Sequence, residues 1–413
     1  MNKPELLAPA GDIEKLRVAF AYGADAVYIG GQDFSLRARA GNFGADELLQ
    51  AVDYAHNLGK KLYVAVNVFA HNSDIERLPA FLKLLAEAAP DALIISDLGV
   101  FALAREYAPD LPLHISTQAN TVNMQSAAMW GRLGAARVIL GRELTLAEAA
   151  EISLNCGLET EIFVHGAMCM AYSGRCLLSH YLVGRDANRG DCAQPCRWKY
   201  ALQEEKRPGE FLPVEEDERG GYILNSRDLC LIEVLPDIIE SGISAIKIEG
   251  RNKSAYYVAN VTRIYRAAID AAYVAQGSYT VTDEWRRELD KISHREYTTG
   301  FAFNPPGARG QRYISSNPIR TYDFVATVFS IEQGRLGFEQ RNHFAIGDTL
   351  EMLLPDGGQL DLVLEALYNG AGESIAAAPH PGMQVYLPLN AKQQQALARY
   401  TPPLVARRAV RGQ

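Results

Sequence analysis

The chain has 413 residues, of which 48% are hydrophobic, and carries 41 Lys and Arg against 49 Asp and Glu, a net charge of −8. The length and the apolar content predict one large domain plus a smaller one and exclude a disordered chain. The negative charge argues against indiscriminate coating of nucleic acid but leaves room for a local basic face. No segment has the character of a signal peptide or a membrane span, so we expect a cytoplasmic protein with no membrane partner.

Short apolar runs alternate with amphipathic stretches of helix length over the first two thirds of the chain. This alternation is typical of repeated βα units around a parallel sheet. Eight strands are predicted, at Glu5–Pro9, Ala26–Gly30, Lys61–Asn67, Ala92–Ser96, Leu113–Thr117, Arg137–Leu140, Glu161–Gly166 and Ala245–Gly250. Eight parallel strands with intervening helices predict an α/β fold, a TIM-type (β/α)8 barrel over residues 1–276.

The pattern changes after the helical stretch SAYYVANVTRIYRAAIDAAYVAQ. Residues 277–320 include NPPGARG and are predicted to form a partly ordered linker. Residues 321–413 show short alternating segments separated by turn signals, which predict a small C-terminal antiparallel β-barrel-like domain. The basic tail ARRAVRGQ is expected to fray.

Four of the six cysteines lie in one segment, at Cys169, Cys176, Cys192 and Cys196. The segment belongs to a long loop after strand seven, 167–228, at the face where TIM-type barrels build active sites. Disulfide frameworks belong to small secreted domains, so we expect reduced cysteines that bind a metal or act as nucleophiles. The spacing C-x6-C-x15-C-x3-C leaves the metal open between zinc and an iron–sulfur cluster, and the location favours the cluster.

The two remaining cysteines lie outside this segment. Cys156, in EAAEISLNCG, is predicted to be an ordinary core residue. Cys230, in SRDLCLIEVL, is predicted to lie in the core at the start of a helix. A role for Cys230 as a substitute cluster ligand stays open.

Polar residues at the predicted strand ends should line a pocket at the same barrel face. Lys247 and Glu249 alternate with isoleucines, so both should face one side of strand eight and form an ion pair or an acid/base pair. Arginines at this face suit carboxylates or phosphates, because a guanidinium binds either in bidentate fashion. The candidates are Asn67, Lys247 and Glu249 for catalysis and Arg37, Arg39, Gln118, Asn120, Arg142 and Arg251 for substrate binding.

The run EIFVHGAMCMAYSGRCLLS resembles the signature of the collagenase-like peptidase family of unassigned mechanism, peptidase U32. Within that family, RDANRGDCAQPCRWKY and KIEGRNKS resemble the branch of tRNA 5-hydroxyuridine modification proteins. The likeness extends from KPELLAPAG to HFAIGDTLEMLLPDG, which is nearly the whole chain. The resemblance implies oxygen-independent hydroxylation of uridine C5 at the wobble position, in the anticodon loop of tRNA.

The resemblance also implies a cofactor and a co-substrate. The cofactor is a 4Fe-4S cluster on Cys169, Cys176, Cys192 and Cys196, with iron–sulfur assembly proteins as partners. The co-substrate is prephenate, a small dicarboxylate that supplies the hydroxyl group and would fit a cationic pocket. Tyr172 and Trp198 are candidates for stacking on an anticodon base, although ordinary packing is at least as common for such residues. Candidate RNA contacts are Arg185, Arg189, Arg197, Lys199, Arg407, Arg408 and Arg411.

Two other functions remain alternatives. A peptidase would pair a cysteine thiolate with a histidine, and His165 stands four residues before Cys169 while His180 stands four after Cys176. Because a protease has no use for four cysteines in one loop, RNA modification is favoured over this collagenase-like peptidase. The third possibility is a non-catalytic RNA-binding factor with a structural zinc.

Overall fold

The computed structural model describes residues 2–35, 41–168, 178–185, 191–195, 198, 202–203, 211–212, 216–217, 220–221, 227–275, 278–305, 318–332 and 334–410. Its first part is a closed barrel in which strands pair in chain order and the last strand pairs with both the first and the seventh. The barrel strands are β1 (Glu5–Pro9), β2 (Ala26–Gly30), β3 (Lys61–Val66), β4 (Ala92–Ile95), β5 (Leu113–Ile115), β6 (Arg137–Ile139), β7 (Glu159–Ala167) and β8 (Ala245–Ile248). The predicted TIM-type barrel is confirmed.

Helices connect the barrel strands, and several of them bury one face. In helix Leu78–Ala88 the buried residues recur every three or four positions, which is the period of one helix face. Thr145 and Glu148 form a capping box that fixes the start of helix Leu146–Asn155. The other helices of this part are Ile13–Ala21, Ala45–Asn57, Asn72–Ile75, Leu98–Tyr107, Met124–Leu133, Leu178–Val183, Leu235–Glu240 and Ala255–Ala275. Within the described ranges, none is both long and apolar enough to cross a bilayer.

A short strand lies beside β7, outside the closed barrel. Asp228–Cys230 pairs antiparallel with the end of β7, and Tyr297–Thr298 pairs with it in turn. Cys230 therefore lies in a strand, and the prediction that it starts a helix was wrong. Pairing with β7 provides hydrogen-bond partners for the backbone of Asp228–Cys230, and the helical turn Ile232–Val234 begins only after this strand. Cys156 is buried in the core, as predicted.

The C-terminal part is an antiparallel sheet, which confirms the predicted β-domain. Helix Asp283–Asp290 lies in the connecting segment that was predicted to be a linker, and helix Ala391–Leu397 precedes the last strand. The strands in sheet order are Gln359–Val363, Thr349–Leu353, Leu404–Ala409, Tyr322–Glu332, Arg335–Gln340, Gln384–Pro388, Leu367–Asn369 and Ser374–Ile375. The basic tail was expected to fray, but its residues up to Ala409 belong to a central strand of this sheet.

The β-domain is attached to the barrel through a buried cluster of charges. Arg407 is 0% exposed and bonds to Glu288 at 2.7 Å and Glu351 at 2.9 Å. Arg263 also bonds to Glu288, and Arg408 bonds to Asp348. The prediction that Arg407 contacts RNA was wrong, because its guanidinium is completely buried among acidic residues. Arg408 bonds to Asp348 but is only partly buried, and its contact with RNA stays a prediction. Arg411 lies outside the described residues.

Candidate active site at the barrel mouth

The carboxyl ends of the barrel strands surround a pocket, where TIM-type barrels place their active sites. Its wall contains three cationic side chains and one carboxylate, so the pocket suits an anionic ligand. It is lined by Tyr28, Ala65, Asn67, Ile94, Ser116, Thr117, Gln118, Ile139, Arg142, Phe163, Lys247, Glu249 and Arg251. The predicted site residues that it brings together are Asn67, Gln118, Arg142, Lys247, Glu249 and Arg251.

Lys247 reaches the pocket from β8 and is 3% exposed. Its Nζ donates to Glu161 Oε1 at 3.0 Å and lies 4.2 Å from the centroid of the Tyr28 ring. Burial lowers the pKa of the Lys247 ammonium, while the charge and hydrogen bond of Glu161 act in the opposite direction. Glu249 lines the same pocket, as the strand alternation predicted, but the carboxylate bonded to Lys247 comes from β7.

Arg251 packs at the end of β2, where the sequence has two successive glycines. A Cβ added at Gly30 would lie 1.9 Å from Arg251 Nη1 and 2.2 Å from Ser35 Oγ. Any larger residue at position 30 would therefore displace the guanidinium. A guanidinium that is 3% exposed and faces a pocket is suited to bind a carboxylate of a ligand.

Arg142 connects the pocket to the start of the cysteine segment. Its guanidinium stacks on the Phe163 ring, 4.6 Å from the centroid. Its Nη1 donates to the carbonyl of Ala167, the last residue of β7, at 2.7 Å. The cysteine segment therefore leaves the barrel directly beside a pocket residue.

Amide side chains form the opposite part of the wall. Asn67 Nδ2 donates to Ser116 Oγ at 3.3 Å, next to the turn Thr117–Ala119 that presents Gln118 to the pocket. Gln118 Oε1 is buried and has no hydrogen-bond partner within the described part of the chain, so a ligand donor can pair with it. Asn120 does not line the pocket and donates instead to the Gln118 carbonyl at 3.1 Å.

His165 lies on the other side of the barrel wall. The register between β7 and β8 shifts so that Phe163 pairs with Lys247 but His165 pairs with Ile248, and such a bulge re-aims the following side chain. The ring is 1% exposed and packs 5.4 Å from the Tyr265 ring and equally close to Tyr297. Burial, with smaller contributions from His294 and Lys253, lowers the pKa of His165 to about 3. His165 is therefore neutral, and it is not among the pocket residues.

The described cysteine of the predicted ligand set is Cys192. Its Sγ accepts a hydrogen bond from the backbone N–H of Gln194 at 3.3 Å, and its carbonyl accepts one from Arg185. Backbone N–H groups that donate to sulfur are a feature of iron–sulfur sites, so this local chemistry fits a cluster ligand. The predicted site residues Arg37, Arg39, Cys169, Tyr172, Cys176 and Cys196 lie outside the described residues, as do Arg189, Arg197 and Lys199.

Other predicted residues near the segment are also described. Arg185 bonds to Asp191 at 2.8 Å, so its charge is already paired. Trp198 is 39% exposed, which leaves its ring accessible. Cys230 lies 3.7 Å from the Tyr265 hydroxyl, and burial raises the pKa of its thiol. Among the described residues, no three His, Cys, Asp or Glu side chains converge to hold a metal ion.

Several residues of the site were not predicted from the sequence. Tyr28, Phe163 and Glu161 occupy strand interiors, where alternation within an apolar run was the available signal. Ser116 and Thr117 directly precede the predicted Gln118, so the strand-end rule would have found them. The pairing of Glu161 with Lys247 depends on the closure of the barrel and leaves no local signal.

Comparisons with known proteins place this architecture in one family. The model of peptidase family U32 matches residues 11–312, and that of the peptidase family U32 C-terminal domain matches residues 320–399. The tRNA hydroxylation protein P1 of Bacillus subtilis is 40% identical over 394 residues, which cover 95% of this chain and 93% of that protein.

Two proteins of Escherichia coli are also similar. The tRNA hydroxylation protein P is 40% identical, with 94% of each chain covered. The 23S rRNA 5-hydroxycytidine C2501 synthase is 35% identical over 73% of this chain and 45% of its own length. The resemblance inferred from EIFVHGAMCMAYSGRCLLS is confirmed, and the chain belongs to peptidase family U32.

Proposed function

We propose that this protein hydroxylates tRNA and forms 5-hydroxyuridine at the wobble position of the anticodon loop. The observation that carries the proposal is the 40% identity to proteins named for tRNA hydroxylation, over more than nine tenths of both chains. The cationic pocket at the catalytic face of the barrel supports it, since the proposed hydroxyl source, prephenate, is a dicarboxylate.

The pocket residues have separate roles in this proposal. Arg251 and Arg142 bind the carboxylates of prephenate, and Lys247 adds a third positive charge. Gln118 Oε1 accepts a hydrogen bond from a ligand hydroxyl, which would satisfy its buried oxygen. Glu249 is the carboxylate in the pocket wall that can take up or deliver a proton.

The cofactor in this proposal is a 4Fe-4S cluster held by Cys169, Cys176, Cys192 and Cys196. When bound, it would supply a redox-active or Lewis-acidic centre beside the pocket, and oxygen would not be required. The N–H donor to Cys192 Sγ and the contact of Arg142 with Ala167 support this location. The exposed Trp198 ring is a candidate to stack on the unstacked anticodon base.

Nucleoside mass spectrometry tests the substrate. A strain that lacks the gene and related hydroxylation genes should lose 5-hydroxyuridine-derived wobble nucleosides. The wild-type gene should restore them, a Cys192→Ala copy should not, and a copy with the core substitution Cys156→Ala serves as the matched control. Normal wobble hydroxylation in the deletion strain would refute the proposal.

Metal analysis of protein purified without air tests the cofactor. Alanine at any of the four proposed ligands should remove most of the iron, while Cys156→Ala should retain it. Iron retention in Cys196→Ala together with iron loss in Cys230→Ala would show that Cys230 is the fourth ligand. Colourless protein that contains zinc would instead support the non-catalytic RNA-binding alternative.

The position of His165 argues against one of the two histidine–cysteine pairs of the peptidase alternative, that of His165 with Cys169. A catalytic histidine must reach a nucleophile and the substrate, whereas His165 is buried among tyrosines and does not line the pocket. We therefore expect no peptide cleavage that depends on His165, and a cleavage assay with His165→Gln beside the wild type checks this.

A further inference from the structure

A chain of buried charges lies inside the barrel and ends at Lys247. Glu161 of β7 is completely buried, and its two carboxylate oxygens bond to different cations. Oε1 accepts from Lys247 Nζ at 3.0 Å, and Oε2 accepts from Arg137 Nη1 at 3.1 Å. Arg137 in turn bonds to Glu5 at 2.8 Å and Glu159 at 2.7 Å, at the opposite end of the barrel.

Glu161 does not line the pocket, and it is connected to the pocket wall by the hydrogen bond from Lys247. An ammonium group that is removed from water tends to lose its proton unless a negative charge compensates it. The short contact of Lys247 with Glu161 provides that charge, and the Tyr28 ring face adds a favourable cation–π contact. The titratable and charged groups that face Lys247 are Tyr28, His114, Arg137, Glu161 and Glu249, with Arg142 and Arg251 in the same pocket.

Arg137 limits the freedom of Glu161. Besides Glu161, two other acidic residues, Glu5 and Glu159, bond to the Arg137 guanidinium and hold it in place. A carboxylate that is bonded to this guanidinium on one side and to Lys247 on the other has little freedom to rotate. The position of the Glu161 carboxylate is thus set from the far end of the barrel. The lysine at the pocket is held by a rigid, buried counter-ion.

We propose that Glu161 is a positioning residue that holds Lys247 protonated at the pocket, so that this part of the pocket becomes a subsite for a carboxylate of the ligand. The assignment of prephenate as the ligand rests on the proposed function, whereas the effect of Glu161 on Lys247 does not. Removing the negative charge of Glu161 should therefore change the protonation of Lys247 even in the absence of substrate.

The test follows the Nζ signal of Lys247 by NMR in full-length protein with 15N-labelled lysine, assigned with Lys247→Arg. Glu161→Gln keeps the size of the side chain and a hydrogen-bond acceptor but removes its charge. We expect the pH midpoint of Lys247 to fall by roughly one pH unit or more. Glu161→Asp keeps the charge but shortens the side chain, so the Lys247 midpoint should lie between those of the wild type and Glu161→Gln. This variant also provides a measurement if Glu161→Gln fails to fold.

The matched control is Glu159→Gln, since Glu159 contacts the same Arg137 but has a side chain that is 56% exposed. It should leave the Lys247 midpoint unchanged. An unchanged midpoint in Glu161→Gln, or an equal fall in Glu159→Gln, would overturn the proposal. Calorimetric titration with prephenate tests the ligand separately from the effect of Glu161 on Lys247. If the midpoint shifts in Glu161→Gln but the wild type does not bind prephenate, Glu161 still controls Lys247 and prephenate is rejected as the co-substrate.

Discussion

Gly30 and Arg251 show how one residue of the pocket depends on another that is distant in sequence. The absence of a side chain at position 30 leaves the space that the Arg251 guanidinium occupies. The sequence marks both residues, because a glycine pair ends a predicted strand and an arginine follows another. Their contact could not be predicted, since it exists only when β2 and β8 pair with the two edges of β1 in the closed barrel.

Gly30→Ala should therefore weaken prephenate binding while the fold is retained. The added methyl group would meet the tip of Arg251 and the buried side chain of Ser35, and both would have to shift. We expect the guanidinium to move and a charge-assisted hydrogen bond worth about 2 kcal/mol to be lost. Calorimetry should show affinity reduced by roughly tenfold or more. The control is Gly370→Ala, where an added Cβ meets nothing within 4 Å. Equal affinity in Gly30→Ala and wild type would mean that Arg251 does not bind the ligand.

At the scale of the element, β7 carries both the predictable and the unpredictable parts of the site. Its apolar run, and the placement of Glu161 and Phe163 on one face, follow from the period of a strand, so the strand was located correctly. The bulge before His165 was not predictable, because it depends on the simultaneous pairing of β7 with β8 and with Asp228–Cys230. It separates a candidate catalytic residue from the pocket.

The position of His165 predicts an acid-sensitive fold. Its pKa is about 3 in the folded protein, below the ordinary value of 6.5, so the folded state favours the neutral ring. The associated stability is fully present above pH 6.5 and is lost as the pH falls from 6.5 toward 3, which amounts to about 2 kcal/mol at pH 5. Urea unfolding of His165→Gln at pH 7.5 and pH 5 should show a smaller difference between the two conditions than the wild type does.

A histidine on the surface of the β-domain provides the comparison for that measurement. His343 is exposed, and His343→Gln should preserve the wild-type difference between pH 7.5 and pH 5. If His165→Gln also preserves that difference, the protonation of His165 is not coupled to unfolding.

At the scale of the whole molecule, the barrel and the β-domain form one structure through buried polar contacts. The Tyr22 hydroxyl of the barrel donates to the Leu353 carbonyl at 2.8 Å and accepts from the Val405 N–H at 3.0 Å. The sequence predicted both domains because each has its own hydrophobic period. It did not predict the interface, because the partners of Arg407 come from segments far apart in the chain.

This interface predicts that Arg407 stabilises the protein and does not bind RNA. Arg407→Ala would leave Glu288 and Glu351 without one of their cations in a buried position, and breaking such a pair typically costs about 3–5 kcal/mol. The urea midpoint should fall accordingly, while tRNA affinity per folded molecule should stay at the wild-type value. Arg399→Ala is the control, because Arg399 is an exposed partner of Asp356 and its loss should cost at most about 1 kcal/mol. If Arg407→Ala has the wild-type urea midpoint but binds tRNA more weakly, Arg407 contacts RNA and does not stabilise the protein through a buried ion network.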